Sequence, residues 1–223
     1  MLRSTHDSPF LAGADSQAQE IYKSLKAKID FASRQRPIRV VMAASAERNE
    51  GKTTTLANLA VAYARSGRKA AVIDGNLRDP QMHAIFRLSN HTGLSNVLFG
   101  HKKAAEALQA APYIPNLAIL TSGSAAGAAD ELASGALQEI VEEVKGKFDI
   151  VLIDAPQTQG FADPLFISNV CDGIVFVVRA GKTKRAAVSK ALAHLKGTGV
   201  PVIGAVLNRY NAKEEAAASF IRS

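Results

Sequence analysis

Ile38-Arg-Val-Val-Met-Ala-Ala-Ser45, running straight into Ala46-Glu-Arg-Asn-Glu-Gly-Lys-Thr53, is the stretch on which the fold turns. An apolar run enters a polar loop closed by Gly-Lys-Thr, and from Thr53 to Arg65 apolar residues recur at three- and four-residue spacing. Strand, loop and helix in that order are what a phosphate-binding loop requires. Loop N–H groups and the helix N-terminus face the phosphates, a lysine reaches their outer oxygens, and a hydroxyl in the first helical turn reaches a magnesium ion. Lys52 and Thr53 take those two roles, with ATP and Mg2+ as the expected ligands. Ala46, Asn49, Glu50, Gly51 and Thr54 complete the expected nucleotide-binding segment. Ala46 replaces the usual first glycine, and Asn49 stands where another glycine can supply positive φ, which asparagine tolerates better than most residues. The competing reading is a Gly-Lys-Thr that merely opens a helix.

Two carboxylates favour the phosphate loop. Ala70-Ala-Val-Ile-Asp74 and Ile150-Val-Leu-Ile-Asp154 are apolar strands that each end in aspartate. In a parallel sheet both acids reach the same edge as the loop, where one holds magnesium and the other acts near the attacking nucleophile. We assign Asp154 to the metal and Asp74 to the metal or to the acceptor hydroxyl, with Arg78 placed to neutralise developing phosphate charge.

Further β-rich runs lie at Leu117 to Leu120, Gly173 to Val178 and Val202 to Leu207, with helical spacing in Glu131 to Lys145, in Lys184 to Leu195 and around 17–32. Strands alternating with helices predict an α/β fold: a doubly wound, mostly parallel sheet with helices on both faces. Ligands of such folds sit at the carboxyl edge of the sheet. The 223 residues, 47% of them hydrophobic, suit one domain spanning 1–223, with 1–15 and 211–223 expected to be flexible. Ser122 to Ala129, rich in Gly, Ala and Ser, also reads as a flexible loop.

The net charge of +7 is scattered, and its short basic groupings, such as Lys182-Thr-Lys-Arg185, lack the interleaved aromatics that stack on bases. Nucleic acid is therefore not an expected partner. Cys171 is the single cysteine, and no Cys/His cluster has zinc spacing, so a reducing, cytoplasmic setting is expected. No apolar run approaches the roughly 20 residues of a spanning helix. His83 and Cys171 are read as packing residues, and Tyr22, Tyr63 and Tyr113 as lying in or near packed elements.

Taken together, these motifs resemble the cytoplasmic kinase domain of the bacterial tyrosine kinases of capsule and exopolysaccharide export, which share a scaffold with the MinD and ParA ATPases. The resemblance runs from about Ser8 to Arg209. It rests on Ser45-Ala-Glu-Arg-Asn-Glu-Gly-Lys-Thr53, on Asp74-Gly-Asn-Leu-Arg-Asp-Pro80, and on Phe148-Asp-Ile-Val-Leu-Ile-Asp-Ala-Pro156 followed by Asp163. The resemblance implies an ATP-dependent protein-tyrosine kinase with Lys52, Asp74, Asn76, Arg78 and Asp154 in the catalytic set. It implies that Asn208 and Arg209, in Gly204-Ala-Val-Leu-Asn-Arg209, meet the nucleotide base. It also implies protein tyrosine substrates, and a transmembrane activator or chain-length regulator whose cytoplasmic tail would hold the chain at the inner face of the plasma membrane.

Departures from the family pattern keep two other functions open. Asn76 stands where the family has a second aspartate, so it carries no charge and takes no proton. The segment Glu20-Ile-Tyr-Lys-Ser-Leu-Lys26 replaces the arginines of the family's assembly motif with lysines; homo-oligomers remain compatible with it. The tail from Asn211 to Ser223 contains no tyrosine. A nucleotide-binding scaffold that modulates a membrane chain-length regulator fits these departures. A MinD- or ParA-like ATPase fits less well, because Glu47 occupies the place of their signature lysine.

Overall fold

The computed structural model describes residues 16–210. The expectations for 1–15 and 211–223 lie outside the described residues. In chain order the elements are α1 (Ser16–Ala32), β1 (Val40–Ser45), α2 (Lys52–Arg65), β2 (Ala70–Asp74), α3 (Met82–Phe86), α4 (Leu94–Leu98), α5 (Ala104–Ala107) and β3 (Gln109–Ala110). They continue with β4 (Leu117–Leu120), α6 (Ala136–Lys145), β5 (Ile150–Asp154), α7 (Asp163–Ser168), β6 (Gly173–Arg179), α8 (Arg185–Lys196) and β7 (Val202–Asn208).

Seven strands form one sheet in the order β3-β4-β2-β5-β1-β6-β7. All neighbours are parallel except β3 and β4. The central strands β1, β2 and β5 are buried at every position, and apolar up to a polar last residue, because helices cover both faces. Alternate residues feed two separate cores: Val40, Met42 and Ala44 pack with Ile140, Val144 and Leu195 from α6 and α8, whereas Val41 and Ala43 pack with Leu56, Leu59 and Tyr63 from α2. Because β1 lies between β5 and β6, the chain changes direction across the sheet at its carboxyl end, the place where doubly wound folds leave a crevice.

The predicted fold class therefore holds, with local corrections. The first strand begins at Val40, not Ile38, since the Asp172 carboxylate takes the N–H groups of Arg39 and Val40, both at 2.8 Å. The predicted helix from Glu131 to Lys145 is two pieces, a 3-10 turn at Asp130–Ala133 and then α6, separated at Gly135, whose φ is 88°. Ser122 to Ala129 is fixed at its start, against expectation. Asn90 Oδ1 accepts from Gly123 N at 3.0 Å, Ser95 Oγ accepts from Ala125 N at 3.1 Å, and Ser122 and Ala128 are buried. Side chains 33 and 30 residues away supply those bonds, which composition alone does not reveal.

Cys171 packs as expected, with Sγ 3.1 Å from the Ile167 carbonyl. Tyr63 is buried, its hydroxyl 3.3 Å from Asp30. Tyr113 departs from expectation: it is 95% exposed, at φ 62° in the turn between β3 and β4. In the assembly-motif segment Lys23 pairs with Glu20 (2.6 Å) and Lys26 with Asp30 (2.8 Å), so Lys26 helps join α1 to the Tyr63 side of α2.

Candidate active site

β1 delivers the chain to the sheet edge at Ser45, and residues 46–51 turn it into α2. Two left-handed residues make that turn, Asn49 at φ 62° and Gly51 at φ 93°, so asparagine does supply the positive φ expected of it. At Gly51 a side chain is excluded twice over, since a Cβ there would stand 1.8 Å from Asn208 Nδ2. Ala46 has no positive φ and is buried in the core, so its methyl costs no backbone strain.

Neighbouring segments brace the loop. The Ser45 carbonyl accepts from Thr158 N (3.0 Å) and Thr158 Oγ1 (3.1 Å), and the Ala46 carbonyl accepts from Gln159 N at 3.2 Å. Glu50 is buried, its Oε2 accepting from Glu47 N at 3.0 Å and its Oε1 from the Thr183 hydroxyl. Asn208 Nδ2 donates to the Glu50 carbonyl at 2.9 Å, while Arg209 lies exposed at φ 56°. Arg48, at the rim, pairs with Asp79 at 2.7 Å.

Asp74 and Asp154 are direct register partners on β2 and β5, and both are fully buried. Asp74 Oδ2 accepts from Met82 N at 3.0 Å, and Thr53 Oγ1 donates to Asp154 Oδ2 at 2.7 Å. Their Oδ1 atoms, and Asn76 Oδ1, are buried with no hydrogen-bond partner among the described residues. Burial holds both carboxyls above the ordinary range; the charge of Asp154 pushes Asp74 further up, while Lys52 and the Thr53 hydroxyl pull Asp154 back down. Burial lowers Lys52, and the charges of Asp154 and Glu50 oppose that shift.

Orphaned carboxylate oxygens beside a helix-terminal hydroxyl are hard oxygen donors that fit magnesium. Among the described residues no three His, Cys, Asp or Glu side chains form a metal cage.

The structure thus brings Lys52, Thr53, Asp74, Asn76 and Asp154 to one edge. Thr54 projects outward from the first turn of α2 and is exposed. Arg78 is anchored: Nε and Nη2 hold the Asp163 carboxylate at 2.8 and 3.0 Å, and the guanidinium lies 4.5 Å from the centre of the Phe161 ring. Thr158, Asp163 as the partner of Arg78, and Thr183 were not anticipated in these roles. Their partners lie 85 to 133 residues away, and no local spacing marks them.

This fold and site define a P-loop protein. A family model described as an AAA domain matches residues 40–183. Tyrosine-protein kinase YwqD of Bacillus subtilis (strain 168) is 37% identical over 190 residues, covering 85% of this chain and 80% of that protein. Among solved structures, the chimerical protein CapA2B2 matches with TM-score 0.81 at 30% identity, over 86% of this chain and 84% of that one. The septum site-determining protein MinD of Pyrococcus horikoshii, complexed with Mg-ADP, matches with TM-score 0.69 at 28% identity, over 81% and 76%. The chain belongs to the bacterial tyrosine-protein kinases, within the AAA-domain P-loop family.

Proposed function

We propose that this chain is an ATP-dependent protein-tyrosine kinase of the capsule and exopolysaccharide type, carrying the transfer reaction at the edge formed by β1, β2 and β5. The observation that carries this reading is the in-register pair Asp74 and Asp154 beside Lys52 and Thr53, with carboxylate oxygens left unpartnered among the described residues.

Loop N–H groups and Lys52 hold the phosphates of ATP, with Thr53 and Asp154 holding Mg2+. When bound, the ion neutralises charge gathering on the phosphate oxygens. Asp74 orients the acceptor tyrosine and takes its phenolic proton on Oδ1, a role suited by a carboxyl held above its ordinary range. Arg78, fixed by Asp163, supplies positive charge on the acceptor side. Asn208 and Arg209 border the base, and the binding of Mg-ADP by MinD supports nucleotide use on this scaffold.

Among the described residues no helix is long and apolar enough to cross a membrane. We infer that association with the cytoplasmic face of the plasma membrane runs through a transmembrane activator, a reading supported by the likeness to the chimerical protein CapA2B2. The acceptors are tyrosines of other proteins or of a second copy of the chain.

Asn76 tests catalysis by this chain. Its Nδ2 donates to the Asp79 carbonyl at 2.9 Å, an arrangement an ionised aspartate cannot keep, since oxygen would face oxygen. Asn76→Asp is expected to lower unfolding stability by about 1–3 kcal/mol in a urea titration. Phosphotyrosine formation is expected in the unaltered chain. If phosphotyrosine appears only in Asn76→Asp, the native chain is a nucleotide-binding scaffold and the kinase reading falls.

A further inference from the structure

Glu50 lies inside the phosphate loop, 2% exposed, and comes within electrostatic reach of Lys52. A buried carboxylate there competes with phosphate for the ammonium unless its oxygens are held elsewhere. Both are. Oε2 accepts from Glu47 N at 3.0 Å, and Oε1 accepts from the hydroxyl of Thr183, in the connection between β6 and α8.

The Thr183 hydroxyl has a defined polarity. Its oxygen accepts from Arg179 N at 3.1 Å, which leaves its proton for Glu50. Only a side chain that accepts and donates through one atom does both, so serine can replace threonine and valine cannot. The next strand reinforces the arrangement: Asn208 donates to the Glu50 carbonyl at 2.9 Å and accepts through its own carbonyl from Ala180 N at 2.9 Å. Residues 179–183 are thereby tied to the loop from two sides.

We propose that Thr183 is a positioning residue for nucleotide binding: its hydroxyl holds the Glu50 carboxylate within the loop and so keeps Lys52 directed at the phosphates. The assignment rests on the reading of this site as one for MgATP.

The test compares the full chain with Thr183→Val, Thr183→Ser and Thr183→Val/Glu50→Gln. Each is titrated with a fluorescent N-methylanthraniloyl ATP in magnesium, and each melting temperature is recorded. Loss of a hydrogen bond to a buried charge predicts about tenfold weaker binding for Thr183→Val and a change within about threefold for Thr183→Ser. In the double variant a neutral amide no longer competes for Lys52, so most of the affinity returns. A merely structural tie predicts the opposite, with the second substitution leaving the loss in place or deepening it. Wild-type affinity in Thr183→Val overturns the assignment alone, as does a double variant no better than the single one. A wild-type chain that binds no MgATP overturns the underlying reading and the assignment together.

Discussion

Replacing Lys52 with alanine is expected to abolish phosphotyrosine formation and to weaken MgATP binding by roughly ten- to a hundredfold. The Lys52 side chain is 6% exposed and lies in the field of Asp154. An ammonium already stripped of most of its water interacts strongly with phosphate oxygens. Its effect on transfer should exceed its effect on binding, because phosphoryl transfer gathers charge on the oxygens that the lysine faces. Nucleotide titration and single-turnover transfer measure the two effects separately, with circular dichroism confirming the fold. Wild-type affinity in Lys52→Ala would remove the phosphate loop from the account.

Asp74→Asn should lose transfer and gain stability. Two carboxylates face each other in register in a fully buried place, an arrangement kept despite its electrostatic cost. An asparagine keeps an acceptor for Met82 N and removes one of the charges. Near neutral pH and without divalent cation, the gain should be on the order of 2–4 kcal/mol. For a chain of this length that raises the melting temperature by roughly 5–10 °C.

The pH dependence has a definite sign. The folded-state value of Asp74 is raised from 3.8 to about 8, so the folded chain binds more protons than the unfolded chain between those limits. Stability contributed by the protonated pair is therefore present at acid pH and is lost as pH rises through that window. The wild type minus Asp74→Asn difference in urea midpoint isolates this slope, and magnesium should flatten it. An Asp74→Asn chain less stable than wild type at neutral pH would contradict the description of the pair.

The sequence was informative where chemistry is local. Ser45 to Thr53 contains strand end, loop and helix start within one short stretch, and Asp74 and Asp154 each close an apolar run, so their arrival at one edge follows from parallel strands. Positive φ at Asn49 was legible for the same reason, since asparagine is among the few residues that tolerate it. The short helices α3, α4 and α5 and the two-residue strand β3 were not legible, because periodicity needs more than one turn or pleat to register. The braces around the loop were also hidden. Thr158 on Ser45, and Thr183 and Asn208 on Glu50, are made by folding together distant segments, and a threonine in a polar connection looks like any other. Arg78 shows the same limit: its charge was evident, but its bidentate commitment to Asp163 depends on where α7 begins.

Phosphotyrosine formation is the most direct test of the central claim. The purified chain is incubated with γ-labelled ATP and magnesium, together with a tyrosine-bearing acceptor and the cytoplasmic tail of a candidate membrane activator, and label on tyrosine is separated from free phosphate. The account predicts labelled phosphotyrosine in the wild type and none in Lys52→Ala. Tight MgATP binding with no label on tyrosine under any of these conditions would contradict it.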